Sequence, residues 1–410
     1  MRALITLTIL TSLLTAAEPK ITWSRQHVDT KFRSEGVATA DVNKDGKLDI
    51  ITGEHWYEGS DYTKVHEMQP PMDHGNGLRN YSRSFAVFVD DFNGDGFPDA
   101  IVIDFPGKPC YWLENPKGKD GHWKKHPIWH SACNETPLYK DLFGTGKRVL
   151  IMGFQPKGKK ETDNFGQMAY FTPNPKDSDS EWEMHPISEA GTKENPTPGT
   201  MRFSHGLGTG DLNGDGRLDV ITSGATTKGQ AGWWEQPEKP DGKTPWKFHA
   251  FKFGDACADI LAYDLTGSGK NDLIATSAHH FGIWKLMRSE GVAGSDPTFT
   301  KAELFPELLS ETHAAILVDI DGDGLKDLVT GKRWWSHGRT EKGSDMPAML
   351  YWFKAVKAAD GSISFIPQEI DRDSGIGTQF EVTDLNGDGL PDIVVSNKKG
   401  VHVLIQKREK

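Results

Sequence analysis

HGLGTGDLNGDGRLDVITSG, residues 205–224, holds the pattern that decides the fold. Its centre, DLNGDGRLD, places oxygen-bearing side chains at Asp211, Asn213 and Asp215, a glycine at Gly216 and a further carboxylate at Asp219. An apolar run precedes this turn and a β-branched run follows it, so the segment reads as two short strands joined by a tight acidic loop. The pattern recurs as DVNKDGKLD from Asp41, DFNGDGFPD from Asp91, DIDGDGLKD from Asp319 and DLNGDGLPD from Asp384. Two worn copies, DLFGTGKRV from Asp141 and DLTGSGKND from Asp264, bring the set to seven. Successive copies are 50, 50, 70, 53, 55 and 65 residues apart, a unit of about 50 residues with insertions.

Each unit adds an aromatic run (CYWLENP, AGWWEQP, FGIWKL, LYWFKAV) and then a fourth run of the type HWKKHPIWH or PWKFHAFKF. Four short strands repeated seven times predict an all-β, seven-bladed β-propeller with four-stranded antiparallel blades. An open sheet of that many strands would split, whereas radial closure leaves only short edges. The last unit ends in a third strand, GVHVLIQ at 400–406, and ITWSRQHVD at 21–29 matches the missing fourth, so the N-terminal strand is expected to close the ring. Residues 18–410 then form a single propeller. Arg2 followed by ALITLTILTSLLTAA at 3–17 reads as a signal peptide over residues 1–17, with a periplasmic or secreted product and no membrane span. Three cysteines, Cys110, Cys133 and Cys257, are too few for a disulfide framework.

The acidic loops present the donors that a hard cation needs. Five full copies predict about five Ca²⁺ sites: Asp41, Asn43, Asp45 and Asp49; Asp91, Asn93, Asp95 and Asp99; Asp211, Asn213, Asp215 and Asp219; Asp319, Asp321, Asp323 and Asp327; Asp384, Asn386, Asp388 and Asp392. They are not EF-hands, because position 12 is Thr52, Thr222, Thr330 or Val395 and the flanks are strands. For the copies at Asp141 and Asp264, a metal-free turn is the better reading.

On these loops the chain resembles the FG-GAP/VCBS repeat family, which implies a seven-bladed calcium-binding propeller of the kind found in integrin α heads and many exported bacterial proteins. The family spans adhesion, binding and carbohydrate-active proteins, so the resemblance speaks for fold more than function. HGLGTGDLNGDGR together with THAAILVDIDGDGLKDLVTGKRWW also resembles, more distantly, the propeller of aldos-2-ulose dehydratases, enzymes that eliminate water from keto sugars with bound metal.

Since the acidic loops join strands one and two, the residues six before each first Asp should ring the opposite face: Glu35, Phe85, Glu135, His205, Ala258, His313 and Thr378, with Asp259 and Gln379 one residue further in. His205, His313 and Glu135 (or Asp259) could bind Zn²⁺ or Mn²⁺ at this tunnel mouth; solvated, hydrogen-bonded tunnel residues are the plainer alternative. The insertions 69–84, 187–204 and 333–347 fall on the same face, and the second strand of blade one is expected to end there in EHWYEG. Aromatics, Arg and His together suit a sugar.

Two functions follow. One is a carbon–oxygen lyase acting beside the carbonyl of a keto sugar or keto-glycoside, with Arg83 or Arg333 stabilising the oxyanion and His55 or Tyr81 moving protons. The other is a non-catalytic calcium propeller that binds glycan or a protein partner. The formal charge of −11 opposes nucleic acid as a partner. Sixteen of the acids are Asp in the five full loops, so the excess is mainly matched to calcium.

Overall fold

The computed structural model describes residues 19–159, 165–174, 176–223, 231–252, 257–277, 279, 281–289 and 296–409; the signal-peptide reading lies outside them. Among the described residues the chain forms seven four-stranded antiparallel sheets and no helix. First strands of the seven blades begin at Ala38, Ala86, Leu138, Leu207, Cys257, Ala315 and Glu381. Blade seven takes its fourth strand from the other end of the chain: Lys20–Asp29 pairs with Gly400–Glu409 in an unbroken register from Lys20↔Glu409 to His27↔His402. The ring is closed as the repeat pattern required.

Packing runs from blade to blade. Trp56, Met68, Val87 and Tyr111 join blades one and two, and Tyr57 and Ile50 join blade one to Val394 and Val403 of blade seven. Every neighbouring pair shares such a cluster. Each sheet is thus covered on both faces, which is why its inner strands read as continuous apolar runs rather than as alternation. The aromatic third strand has a second use. Trp56, Trp112 and Trp233 stack on His66, His126 and His249 of the fourth strand, with ring centres 3.8, 4.1 and 4.1 Å apart. Those imidazoles meet Glu58, Glu114 and Glu235 at the end of the third strand.

One expectation fails here. His55, Trp56 and Tyr57 form the third strand of blade one, not the rim end of its second, and they are buried. The second strand is only Asp49–Ile51, so the chain turns before EHWYEG is reached.

The acidic loops are built alike. The glycine at position six has φ between 79° and 89° in all seven copies, a conformation other residues adopt at a cost. The first Asp accepts backbone N–H groups from positions five and six, as Asp211 does from Asp215 and Gly216. The ninth residue is a staple. Asp219 accepts the N–H of Leu212 at 2.8 Å and that of Gln236, beyond the third strand, at 2.9 Å. Asp49, Asp99, Asp327 and Asp392 repeat this. So does Asp272 in the worn fifth loop, with Leu265 at 3.0 Å and Arg288 at 2.7 Å; the worn third loop has Val149 there instead.

Asp272 separates the staple from any ion, because its loop has Thr266 and Ser268 where the full loops have Asn or Asp. Asp272→Ala strands two buried N–H groups and should cost about 2–4 kcal/mol, equally with and without chelator, in urea unfolding. An unchanged midpoint would contradict the staple.

Candidate functional site

The seven residues six before each loop do come together. Six lie in the connections leading into the first strands and Ala258 is the second residue of its strand, and all are buried. Thr378 donates its N–H to the Glu35 carbonyl at 2.8 Å and its hydroxyl to the Phe85 carbonyl. Arg333, from the turn after the second strand of blade six, fills the centre of the ring. Its guanidinium donates to Glu35 and, at 3.0 Å, to Glu135, bridging blades one and three. Although burial opposes it, the Glu35 and Glu135 carboxylates raise the pKa of Arg333 further. The mouth is therefore plugged and charge-paired rather than an open tunnel.

Glu135, His205 and His313 stand beside this plug, each offering an atom within 4.8 Å of the others. The ring centres of His205 and His313 are 5.5 Å apart, so the histidines of blades four and six meet across the axis. His313 places Nδ1 on the Glu311 carbonyl at 3.0 Å, while its buried Nε2 has no hydrogen-bond partner. That tautomer leaves Nε2 as a lone pair, the state in which imidazole ligates a metal. Burial pushes His205 down to about 4 against the pull of Glu135. Burial, then the Arg333 charge, holds His313 well below the usual range. Burial alone would raise Glu135, but His205 and Arg333 hold it below its usual value. Neutral imidazoles and an ionised carboxylate fit a borderline divalent ion. Asp259 is engaged elsewhere: its carboxylate accepts the N–H of Ala315 and of Ile260.

The other expected residues divide. Tyr81 lies at the mouth, donating to the Ser336 carbonyl at 2.9 Å, with the Arg333 guanidinium 5.6 Å from its ring centre. Arg83 instead makes a forked pair with Asp104 at the end of the second strand of blade two. His55 packs against Arg33 and Tyr57; burial, then the Arg33 charge, lowers its pKa.

Three features had not been singled out. His279, after the second strand of blade five, and His337 stack at 4.5 Å and share Glu341. Glu341 is driven down to about 2: burial opposes this, and the hydrogen bonds from His279 and His337 outweigh it. Lys332 is fully buried against Glu311. Lys398, in the turn between the second and third strands of blade seven, donates to the Trp335 carbonyl at 2.8 Å. It lies 4.4 Å from the Tyr81 ring centre, and burial, then Arg333, lowers it to about 8. Lys398 also lines a cleft of about 870 Å³ with Lys31, Arg33, Trp334, Trp335 and Lys399.

Residues 319–395, covering the full loops of blades six and seven, match the family model described as FG-GAP-like repeat. The chain is a seven-bladed β-propeller, and its last two blades match an FG-GAP-like repeat. No curated protein matches this propeller in sequence, and the likeness to the dehydratases rests on the quoted motifs alone. Among solved structures, a chain of the Tc holotoxin pore of Photorhabdus luminescens aligns over 88% of the propeller and 16% of its own length, at 17% identity and a TM-score of 0.37. The propeller thus spans a small part of that chain. No helix among the described residues is long and apolar enough to cross a membrane.

The depressed histidines give a pH signature. His205 stays neutral in the fold to about pH 4, whereas an unfolded histidine charges near 6.5. The unfolded chain then binds more protons between those values, so this part of the stability falls as pH drops through that window. In metal-free protein, nitrogen-15 NMR at pH 5.5 should show His205 and His313 uncharged while His279, raised by its bond to Glu341, is protonated. Charged His205 at that pH would contradict the burial argument.

Proposed function

We propose that the protein is an exported calcium-loaded propeller that holds one transition ion at its mouth and eliminates a substituent beside the carbonyl of a keto sugar. The observation that carries this reading is the convergence of Glu135, His205 and His313, one carboxylate and two imidazoles from three blades, in one buried set.

The loops support calcium. Burial raises Asp49, Asp327 and Asp392 to about 6 and Asp99 and Asp219 to about 7, and the neighbouring loop carboxylates add to it against the staple hydrogen bonds. Those crowded charges need a cation. In three loops a basic side chain leans on a ligand position: Lys354 on Asp321, Lys117 on Asp95 and Arg217 on Asp215.

At the mouth, an ion on Zn²⁺- or Mn²⁺-type ligands would polarise a carbonyl. Lys398 is the side chain suited to remove the neighbouring carbon-bound proton, since near pH 8 a large share is free amine. The electron pair released there moves toward the carbonyl carbon, and loss of the β-oxygen substituent with a proton leaves an enone. Arg333 holds Glu135 in place, and Tyr81 packs against Lys398. The cleft beyond them, cationic and edged by Trp334 and Trp335, is the sugar-binding wall. A second reading, a non-catalytic propeller that binds glycan or protein, is favoured by Arg83 and Arg333, whose guanidinium groups are already committed to carboxylates.

Incubation with 2-keto and 3-keto sugars should give an enone absorbance that His205→Ala abolishes and Lys398→Met lowers by roughly 10²–10⁴-fold. No absorbance across the panel, with glycan binding that survives His205→Ala and His313→Ala, would select the second reading. Calcium is tested by melting. Each site filled at a hundredfold excess over its Kd adds roughly 2.7 kcal/mol, so EDTA should lower Tm and calcium restore it. The gap should widen from pH 5 to 7.5: folded Asp residues titrating above their unfolded value lose stability as pH rises through that range unless an ion neutralises them. An unchanged Tm would refute the calcium reading.

A further inference from the structure

Arg339, Trp335, Trp334 and Lys399 stack in that order at the edge of the cleft. The two indoles lie ring on ring, with centres 3.6 Å apart and planes 18° apart. The Arg339 guanidinium stands 5.6 Å from the ring centre of Trp335, and the Lys399 ammonium 4.9 Å from that of Trp334. An indole face is electron-rich and takes a cation or the C–H face of a sugar, but not both at once. Each indole here has one face on its neighbour and a cation over the other. The stack therefore offers a ligand its edges and its charges, not a free face for a neutral sugar ring.

Charge dominates the rest of the lining. Lys31, Arg33, Lys398 and Lys399 border the cleft of about 870 Å³, against Asp73 and Asp373. Both acids are engaged: Asp373 pairs with Lys399 and, at 3.4 Å, with Arg25, while Asp73 accepts the Gly75 N–H at 2.8 Å. Among the described residues, neither Lys31 nor Lys398 forms an ion pair. Lys398 is only 6% exposed, and a buried ammonium is costly unless an anion meets it. A chain of formal charge −11 thus gathers unmatched positive charge at one cleft.

Resting on the reading of this cleft as the sugar-binding wall, we infer that its ligand is an anionic saccharide, carrying a carboxylate or a sulfate ester. Lys31, Arg33 and Lys399 receive the acidic group, and Lys398 is left to the carbon-bound proton. The receiving side chains come from two segments that closure of the ring brings together. Residues 31–33 lead into blade one, and residues 398–399 form the turn between the second and third strands of blade seven. Asp29 holds the first segment, accepting the Lys31 N–H at 2.8 Å and the Arg33 Nε–H at 2.7 Å, and is itself bonded by the Tyr57 hydroxyl at 2.9 Å. His27 ties the second segment, with Nε2 3.1 Å from the Lys399 carbonyl. The cations are thus set in place before a ligand arrives, which lowers the ordering cost of binding. A cleft of one sign also concentrates ligands of the other, against the repulsion of the acidic chain as a whole.

The test uses calorimetry on calcium-replete full-length protein with sugars that lack a keto group, so that binding is read apart from elimination. The ligands are uronic-acid oligosaccharides, sulfated galactose oligosaccharides and neutral oligosaccharides of matched length. One or both anionic sets should bind, the neutral set should not, and the affinity should fall as salt rises. Uronates alone would assign a carboxylate and sulfated sugars alone a sulfate ester. Lys31→Glu, at an exposed position, should weaken anionic binding about tenfold or more, with melting in calcium confirming that the variant folds. Lys399→Glu should do the same. Equal affinity for neutral and anionic sugars would overturn the inference, as would anionic binding that neither charge reversal nor salt weakens. Absence of binding together with enone formation from neutral keto sugars would overturn it while leaving the lyase reading intact. Salt-sensitive anionic binding with no enone from any keto sugar would support it and sink the lyase reading alone.

Discussion

The buried carboxylate at the ninth position of six of the seven loops is the constraint on which this propeller depends. Asp219 ties the turn between the first two strands to the chain leaving the third, through two backbone N–H groups from opposite sides of the blade. Repeated in blades one, two, five, six and seven, this small knot fixes where the second strand begins in every blade but the third. A fixed start for the second strand fixes the register of the first, and with it which residue faces the axis on the far side. The mouth is thus assembled by elements that lie on the opposite face.

That coupling explains how residues distant in sequence meet without a dedicated scaffold. Glu35 and Arg333 are 298 positions apart and Glu135 and Arg333 are 198 apart, yet both pairs form because equivalent positions of a closed ring converge on its axis. Closure is therefore part of the site: without the pairing of Lys20–Asp29 to the last strand, blades seven and one would separate and the Glu35–Arg333 link would lose its frame. Burying so many charges is tolerable only because each is met by a partner. Lys332 rests on Glu311, Arg333 on two glutamates, and His279 and His337 on Glu341. His313 Nε2 has no such partner.

The ring of Glu35, Glu135, His205 and His313 was legible in the sequence because it keeps a constant offset from a repeated motif. The residues that the sequence hid keep no such offset. His279, Glu341 and Lys398 sit in turns after second strands, whose lengths vary from blade to blade, so counting from the Asp loop does not reach their roles. The same variability misplaced EHWYEG: a second strand of three residues in blade one turned His55 into the core-facing start of the third strand. Arg83 was a reasonable partner for an oxyanion by type, but Asp104, 21 residues later, was the nearer anion. Charged residues on loops are read well by type and poorly by partner, since the partner is set by tertiary geometry.

We propose that the mouth holds a metal ion distinct from those of the acidic loops. Elemental analysis of protein purified without chelator tests it most directly. One zinc or manganese per chain beside several calcium ions is the expected result, and calcium alone would contradict it.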